Sequence, residues 1–531
     1  DGAKIFRDVY GERAAYVPYI MPGFALAKSC AAYHRKNPNV DGLILLKHGI
    51  FTFGESAEEA YGRMINMVSL AERRLRTGDK SQVLLPAKVA SGRVAKVPAI
   101  APQLRGLLAQ GASDDSTRFV LSFRTNPAIR RYVDGADLAR YSQQGPVTPD
   151  HAIRIKPKPV ILPRPLADDL EGFFKSAQRA IADYETAYRA YFLRNNTDVD
   201  NPKTPLDPVP RVLLVPGLGF FAVGNSAKSA DLAADLYENN VAVITAAEGI
   251  GRFRSISDHD MFDIEYWSLE QAKLGGGREA DLARQVVVIT GAGGAIGQAT
   301  ARAFRAAGAE VALLDLDPST IDALAAETGG LAITCDVTDG ASVTRAFAAV
   351  SERFGGMDIL VSNAGAAWQG KIGEVDDAVL RQSFELNFFA HQRIAQAAVK
   401  IMRAQNTGGV LLFNTSKQAI NPGKDFGPYG LPKAATLFLS RQYALDYGEY
   451  GIRSNAVNAD RIRSGLLTED MVRTRSKARG LSEGAYMSGN LLGREVLSED
   501  VAKAFVDLAC SKKTTAAVLT VDGGNIEAAL R

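Results

Sequence analysis

The stretch QVVVITGAGGAIG at residues 285–297 decides the fold of the region that follows it. Residues 286–289 form an unbroken, β-branched run, which is typical of a central parallel strand buried on both faces. The run leads into the glycine-rich turn TGAGGAIG and then into QATARAFRAAGA, whose apolar period predicts a helix. This order places a helix N-terminus where it can bind a pyrophosphate. A plain structural turn is the alternative, and the residues downstream decide between the two.

Length and composition predict a soluble globular protein of two or three domains. The chain has 531 residues, of which 46% are hydrophobic and 23% are charged. A net charge of +3 is too small to indicate nucleic acid or an anionic membrane as a partner. No apolar run approaches the roughly 20 residues of a membrane helix. Three scattered cysteines, Cys30, Cys335 and Cys510, exclude a disulfide framework and favour the cytoplasm.

The first 165 residues have a mixed α/β pattern. The segments PGFALAKSCAAYHRK and ESAEEAYGRMINMVSLAERR are predicted to be helices, and GLILLKHGIFTFG between them is predicted to be a strand, a turn and a strand. Residues 77–165 are rich in loops, with short apolar segments at SQVLLPAKVA, TRFVLSFRT and AIRIKPKPVIL. The chain does not begin with Met, so we expect it to be part of a longer protein.

A second, weaker strand and glycine turn lies in the middle of the chain. An amphipathic helix over residues 168–196 is followed by a proline-rich linker. The segment RVLLVPGLGFFAVG, a helix over 226–239 and the strand VAVITAA then predict a small Rossmann-like βαβ region. No acidic residue ends its second strand, so the glycines Gly217, Gly219 and Gly224 favour a structural turn over a second nucleotide site. The predicted domains are residues 1–165, 166–280 and 281–531.

The strand EVALLDLD closes on Asp315, which lies 24 positions after Gly291. A carboxylate there can accept both ribose hydroxyls of adenosine and would repel a 2′-phosphate. The glycine turn contains no Arg or Lys to neutralise that phosphate, so the pattern favours NAD over NADP. A strand-end aspartate without this role is the alternative. Further along, Asp336 and Val337 in CDVTD are placed to meet adenine, and Asn363 and Gly365 in the NAG triplet end a fourth strand.

A catalytic pattern follows on a fifth strand and the next helix. Ser416 ends GVLLFNTS, Tyr429 comes 13 residues later, and Lys433 lies four residues after Tyr429. On a helix these last two share a face, so we expect Lys433 to lie beside the phenol and to lower its pKa from about 10. Ser416 would polarise the substrate oxygen through a hydrogen bond. Each residue alone is weak evidence, whereas the ordered set is strong.

Residues 285–528 resemble the short-chain dehydrogenase/reductase family, because TGAGGAIG, Asp315, CDV, NAG, Ser416, Tyr429-x-x-x-Lys433 and VDGGN occur in its order. The resemblance implies a doubly wound Rossmann fold with a seven-stranded parallel sheet. It also implies a catalytic tetrad of Asn387, Ser416, Tyr429 and Lys433, in which Tyr429 is the general acid/base and Asn387 holds a proton-relay water. The implied NAD-binding residues are Gly291, Gly293, Ile296, Gly297, Asp315, Asp336, Val337, Asn363, Gly365, Tyr429 and Lys433.

One departure from this family concerns the turn after the sixth strand. The family has Asn-Pro-Gly there and this chain has Asn458-Ala459-Asp460, which puts the cofactor geometry and the substrate range in question. We expect residues 461–493 to form the substrate lid.

The segment LILLKHGIFTFG and the helix after it resemble the C-terminal half of class II, zinc-dependent sugar-phosphate aldolases. That resemblance implies a zinc ligand at His48. The family's H-x-H pair is missing, so we expect zinc only in a longer parent chain, and a structural turn histidine is the alternative.

Together, the regions resemble bifunctional rhamnulose-1-phosphate aldolase/short-chain dehydrogenases, which implies lactaldehyde as the dehydrogenase substrate. The sequence therefore predicts an NAD-dependent oxidoreductase that acts on a small hydroxyaldehyde or alcohol and forms a homo-oligomer. Aldolase activity of a longer parent chain and an NAD-binding scaffold without turnover are the alternatives. Retention of all four tetrad residues argues against the scaffold.

Overall fold

The structure, a computed structural model, describes residues 2–77, 92–109, 117–198, 200, 202–275 and 277–525. The apolar segment SQVLLPAKVA lies outside the described residues. The chain divides into two compact units that alternate along the sequence. Unit 1 contains Asp1–Ala95, Phe123–Val223 and Ser229–Gly277, and unit 2 contains Lys96–Ser122, Gly224–Lys228 and Arg278–Arg531. Unit 2 therefore begins with a segment that precedes most of unit 1.

The strands and helices are named here in chain order. The strands are β1 (Ala14–Val17), β2 (Gly42–Leu45), β3 (Gly49–Thr52), β4 (Val120–Arg124), β5 (Val160–Ile161), β6 (Val212–Val215), β7 (Gly219–Gly224), β8 (Val286–Thr290), β9 (Glu310–Asp315), β10 (Leu331–Thr334), β11 (Ile359–Ser362), β12 (Gly409–Asn414), β13 (Ile452–Ala459) and β14 (Val518–Val521). The helices are α1 (Gly2–Tyr10), α2 (Phe24–Lys36), α3 (Ala57–Arg76), α4 (Val97–Leu107), α5 (Pro127–Val133), α6 (Leu138–Tyr141), α7 (Pro149–Ile155), α8 (Leu170–Asn195), α9 (Ala227–Glu248), α10 (Asp258–Glu265), α11 (Ser268–Ala272), α12 (Ala295–Ala306), α13 (Asp322–Thr328), α14 (Gly340–Phe354), α15 (Asp377–Phe384), α16 (Ala390–Gln405), α17 (Gly427–Tyr447), α18 (Glu469–Ala478), α19 (Glu483–Met487) and α20 (Ser498–Cys510). Among the described residues, no helix is both long enough and apolar enough to cross a membrane.

Unit 1 begins with a small sheet in the order β1-β2-β3. Strands β2 and β3 are antiparallel, which confirms the predicted strand, turn and strand. The predicted helix that follows is α3, and the Ser56 side chain caps its N-terminus by accepting the N–H of Glu59. The long amphipathic helix predicted over 168–196 is α8.

The predicted βαβ region within residues 166–280 is not formed. Strands β6 and β7 pair antiparallel as a hairpin, and VAVITAA is the second half of α9 instead of a strand. The buried positions of α9 explain the difference: Tyr237, Val241 and Ile244 recur every three or four residues and pack into one apolar cluster. Tertiary packing on a helical stripe thus overrides the β propensity of the valines and isoleucine.

Unit 2 is built on a parallel sheet whose order, within the described residues, is β10-β9-β8-β11-β12-β13-β14. All neighbouring strands are parallel, which confirms the predicted doubly wound fold with seven strands. Strand β8 is fully buried, as its β-branched run predicts. The strand order reverses at β8, so the turn after this strand opens at the switch point where such sheets bind ligands.

Helix α4 belongs to unit 2, although it lies far from the rest of that unit in the sequence. Its Arg105 makes a bidentate ion pair with Asp358 (2.7 and 3.1 Å), and both side chains are 2% exposed or less. Asp358 also accepts the N–H of Val286 at 2.8 Å. Burial alone would raise the pKa of Asp358, but Arg105 and Arg118 hold this pKa below its usual value. The ion pair therefore fixes α4 at the amino-terminal edge of the sheet.

The Arg105→Met substitution should destabilise unit 2 by about 3 kcal/mol, because it leaves the Asp358 carboxylate buried with Arg118 as its remaining cation. The chain has two tryptophans, so a Trp267→Phe background leaves Trp368 in unit 2 as the fluorescent reporter of urea unfolding. Arg302→Met, which removes a surface pair with Glu327, is the matched control and should leave the midpoint unchanged. Equal midpoints for both variants would contradict this account.

Candidate active site

The glycine turn after β8 leaves no room for side chains at Gly291, Gly293 and Gly297. Gly291 has a φ of +62°, and a Cβ there would lie 2.9 Å from the Cα of Ala364. A Cβ at Gly297 would lie 2.2 Å from the carbonyl oxygen of Gly291. The backbone of the turn is therefore bare at the N-terminus of α12, as phosphate recognition requires. Ile296, in the first turn of α12, packs on the core beside β8.

Asp315 ends β9 directly beside this turn. Its Oδ2 accepts the N–H of Gly293 at 2.8 Å, and its Oδ1 accepts the N–H of Asp317 at 3.3 Å. Asp315 and the glycine turn are therefore adjacent in the structure. Asp336 follows β10 and accepts the backbone N–H and the hydroxyl of Thr338, which lowers the pKa of its carboxyl. Val337 is 7% exposed, so most of its side chain belongs to the core.

Asn363 connects three strands at the carboxyl edge of the sheet. Its Nδ2 donates to the carbonyl oxygens of Thr290 and Gly291, both at 3.1 Å. Its Oδ1 accepts Nδ2 of Asn414 at 2.7 Å, and the carbonyl oxygen of Asn414 accepts Nζ of Lys433 at 3.0 Å. One chain of hydrogen bonds thus joins the glycine turn to Lys433. Sequence reasoning did not single out Asn414, whose position at the end of β12 was the available signal.

Asn387 lies in a π-helical turn, residues 385–389, that separates α15 from α16. Its Nδ2 donates to the carbonyl oxygen of Ala366 at 2.8 Å, while its Oδ1 is buried with no partner among the described residues. Its carbonyl oxygen accepts the hydroxyl of Thr436 at 2.6 Å. Sequence patterns do not reveal this π turn, a feature frequent at functional sites. A Cβ at Gly365 would lie 2.9 Å from Asn387 Oδ1, so this glycine allows the close approach.

Ser416, Tyr429 and Lys433 come together at the start of α17. The Ser416 side chain is close enough to Tyr429 to lower the pKa of its phenol, and Lys433 Nζ lies 5.9 Å from the centre of the Tyr429 ring. The expected lowering of the phenol pKa by Lys433 is wrong for this structure. Burial raises the pKa of Tyr429 above its usual value despite the opposing effect of Ser416. Burial also lowers the pKa of Lys433 to about 7, which reduces its positive charge at neutral pH.

The unusual turn after β13 carries charged groups. Asp460 accepts Nδ2 of Asn525 at 2.9 Å and lies 3.4 Å from Lys417 Nζ. Arg461, the first residue of the segment predicted as a lid, donates to the carbonyl oxygen of Tyr486 in the same segment at 2.9 Å. That segment contains α18 and α19.

His48 lies in the turn between β2 and β3. Its Nε2 is 2.7 Å from the carbonyl oxygen of Ile20, and its ring stacks on Tyr19 with centroids 5.1 Å apart. Across the described ranges, no group of three or more His, Cys, Asp and Glu side chains could hold a metal ion. The residues described here therefore do not form a zinc site.

Comparisons with known proteins agree with this organisation. Family models match residues 3–75 as class II aldolase and adducin N-terminal domain, 95–274 as aldolase class II, second domain, and 291–525 as enoyl-(acyl carrier protein) reductase. The chain is 31% identical to the uncharacterized oxidoreductase YuxG of Bacillus subtilis, over 99% of this chain and 78% of that protein. It is 32% identical to 2-keto-3-deoxy-L-fuconate dehydrogenase of Xanthomonas campestris, over 45% of this chain and 78% of the other. A solved 3-ketoacyl-(acyl-carrier-protein) reductase from Brucella melitensis, complexed with NADH, has a TM-score of 0.42 and 26% identity, covering 45% of this chain and 97% of that one.

The fold of unit 2 is that of a short-chain dehydrogenase/reductase, and the protein is an enzyme of this type. More particularly, the chain belongs to the family of oxidoreductases, shared with YuxG, that join class II aldolase domains to a C-terminal short-chain dehydrogenase domain.

Replacing Ser416 by Ala should raise the pKa of Tyr429 further, because the Ser416 side chain is the group that lowers it. Tyrosine labelled with ¹³C at Cζ would report the titration by NMR, with Tyr429→Phe identifying the resonance. An unchanged or lower pKa in Ser416→Ala would contradict the geometry.

Proposed function

We propose that unit 2 transfers a hydride between NAD(H) and a small hydroxyaldehyde or alcohol. The observation that carries this proposal is the convergence of the glycine turn, Lys433, Ser416 and Tyr429 at one edge of the parallel sheet. Asn363 bonds the glycine turn and Asn414, and the carbonyl oxygen of Asn414 accepts Nζ of Lys433, so the two asparagines link the first two of these.

The side chains divide the chemistry among them. Ser416 donates a hydrogen bond to the substrate oxygen, and Tyr429 takes or returns the proton at that oxygen. Lys433 would hold the nicotinamide ribose through its Nζ, and Asn387 would orient the water that relays protons. When bound, NAD supplies the acceptor for the hydride. Binding of the cofactor hydroxyls to the Lys433 ammonium would stabilise the charged form of that lysine.

Preference for NAD over NADP is part of the proposal. The Asp315 carboxylate stands at the turn, held by Gly293, where an adenosine 2′-phosphate would bring a second negative charge. Residues 290–297 provide no basic side chain to offset it.

Lactaldehyde is the substrate we propose first. The class II aldolase domains in the same chain support it, because aldol cleavage of a 6-deoxyketose phosphate releases this aldehyde. Oxidation of the aldehyde to an acid would proceed through the hydrated aldehyde, because the tetrad contains no thiol that could act as a nucleophile on the carbonyl carbon. Cleavage by a rhamnulose-1-phosphate aldolase site is proposed only for a longer chain. The cysteines, which form no disulfide in the structure, support a reducing, cytoplasmic location.

NADH should accumulate when the protein is mixed with NAD and L-lactaldehyde, and Tyr429→Phe should reduce the rate at least about a hundredfold by removing the proton-transfer group. Absorbance at the NADH wavelength measures both. An equal rate in Tyr429→Phe would exclude the tetrad mechanism. Binding of NADH without turnover would exclude lactaldehyde as the substrate. Sugar acids would then be tested next, because 2-keto-3-deoxy-L-fuconate dehydrogenase is among the relatives.

We also propose that the protein is a homo-oligomer in which α17 contacts a second copy. Three large apolar side chains of α17 are exposed at seven-residue intervals, Leu431 by 48%, Phe438 by 69% and Leu445 by 78%. Such a stripe on one face of a helix favours burial against a partner of the same shape.

Phe438→Glu should therefore dissociate the oligomer, because it places a charge in the apolar interface. Light scattering coupled to size-exclusion chromatography measures the mass, and Leu269→Glu on α11, an equally exposed position, is the control. A monomeric wild-type protein, or an oligomer unaffected by Phe438→Glu, would contradict this arrangement.

A further inference from the structure

His391, near the start of α16, is a buried titratable residue to which the mechanism above gives no role. It is 2% exposed and comes one turn after Asn387 on the same helical path. Its Nδ1 is 2.7 Å from the hydroxyl oxygen of Ser362, the last residue of β11. The Asn363–Gly365 stretch follows Ser362 directly, so the imidazole holds the strand end from which this turn departs.

The surroundings of Lys433 are polar in a way that an ordinary core is not. In the part of the chain that the structure describes, three residues around this lysine each have a buried polar atom without a hydrogen-bond partner: Asn387 Oδ1, His391 Nε2 and Asn414 Oδ1. Buried polar atoms are ordinarily paired, so unpaired ones call for an explanation. If His391 had only a structural role, the unpaired Oδ1 atoms of Asn387 and Asn414 near the same lysine would have no explanation.

Charge and geometry together decide what His391 can do. Burial and the nearby Lys433 ammonium both hold the pKa of His391 well below its usual value, so the ring is neutral. The backbone of Ala364 is its other polar neighbour. A neutral imidazole can bond the Ser362 hydroxyl and face the backbone of the turn without adding a second positive charge near Lys433.

We propose that His391 is a positioning residue of the dehydrogenase site, which acts through Ser362 to hold residues 363–365 against Lys433. This inference rests on the proposed function, in which residues 363–365 and Lys433 bind NAD. Its effect falls on the affinity for the cofactor, because the chain of hydrogen bonds from Gly291 to Lys433 passes through the positioned turn.

NADH affinity tests the proposal, measured by fluorescence titration of the full chain. His391→Leu keeps the volume and removes both ring nitrogens, and it should raise the Kd for NADH about tenfold. His391→Gln keeps an amide that can accept the Ser362 hydroxyl, and it should restore affinity to within about threefold. Ser362→Ala should weaken binding like His391→Leu, and the double variant should be no weaker than the worse single variant.

Ile394→Ala on the same helix is the control for general destabilisation, because Ile394 is 1% exposed and packs in the core without polar contacts to the turn. It should lower the Tm and leave the Kd unchanged. A wild-type Kd in His391→Leu, additive effects of Ser362→Ala and His391→Leu, or an equal loss in Ile394→Ala would overturn the inference. Absence of NADH binding by the wild-type protein would overturn the proposed function and this inference with it.

Discussion

The side-chain amide of Asn363 is the group on which the geometry of the dehydrogenase site depends. It donates to the backbone of the glycine turn after β8 and accepts from Asn414 on β12, whose carbonyl oxygen holds Lys433 on α17. In a buried site these hydrogen bonds strengthen one another, and loss of one leaves its partner unpaired at a cost of about 1–3 kcal/mol. The glycine turn and Lys433, to which we assign cofactor binding and support of the proton donor, are therefore parts of one network.

At the opposite edge of the same sheet, a buried carboxylate likewise holds separate elements together. Asp358 precedes β11 and is neutralised by Arg105 of α4 and by Arg118. A carboxylate with 1% exposure could not remain ionised there without these cations. The dehydrogenase unit thus includes α4, which lies within the range matched as aldolase class II, second domain.

Local sequence patterns predicted the parallel sheet of unit 2 and the position of Asp315 at the end of its second strand. Those features follow from β-branched runs, glycine spacing and helical periodicity, which are properties of neighbouring residues. The Arg105–Asp358 pair was missed because its partners lie 253 positions apart and no local pattern connects them. The helix at VAVITAA was missed because valine and isoleucine favour strands. It forms because Val241 and Ile244 lie on one face of the helix and pack in an apolar cluster. The raised pKa of Tyr429 depends on burial, which sequence spacing does not reveal.

Calorimetric titration of the protein with NADH and NADPH tests the central claim most directly. The account predicts that NADH binds and that NADPH binds much more weakly. Asp315→Ser should reduce the difference in affinity between the two cofactors, because it removes the charge that repels the 2′-phosphate. The absence of NADH binding, or equal affinities for the two cofactors in the wild-type protein, would contradict it.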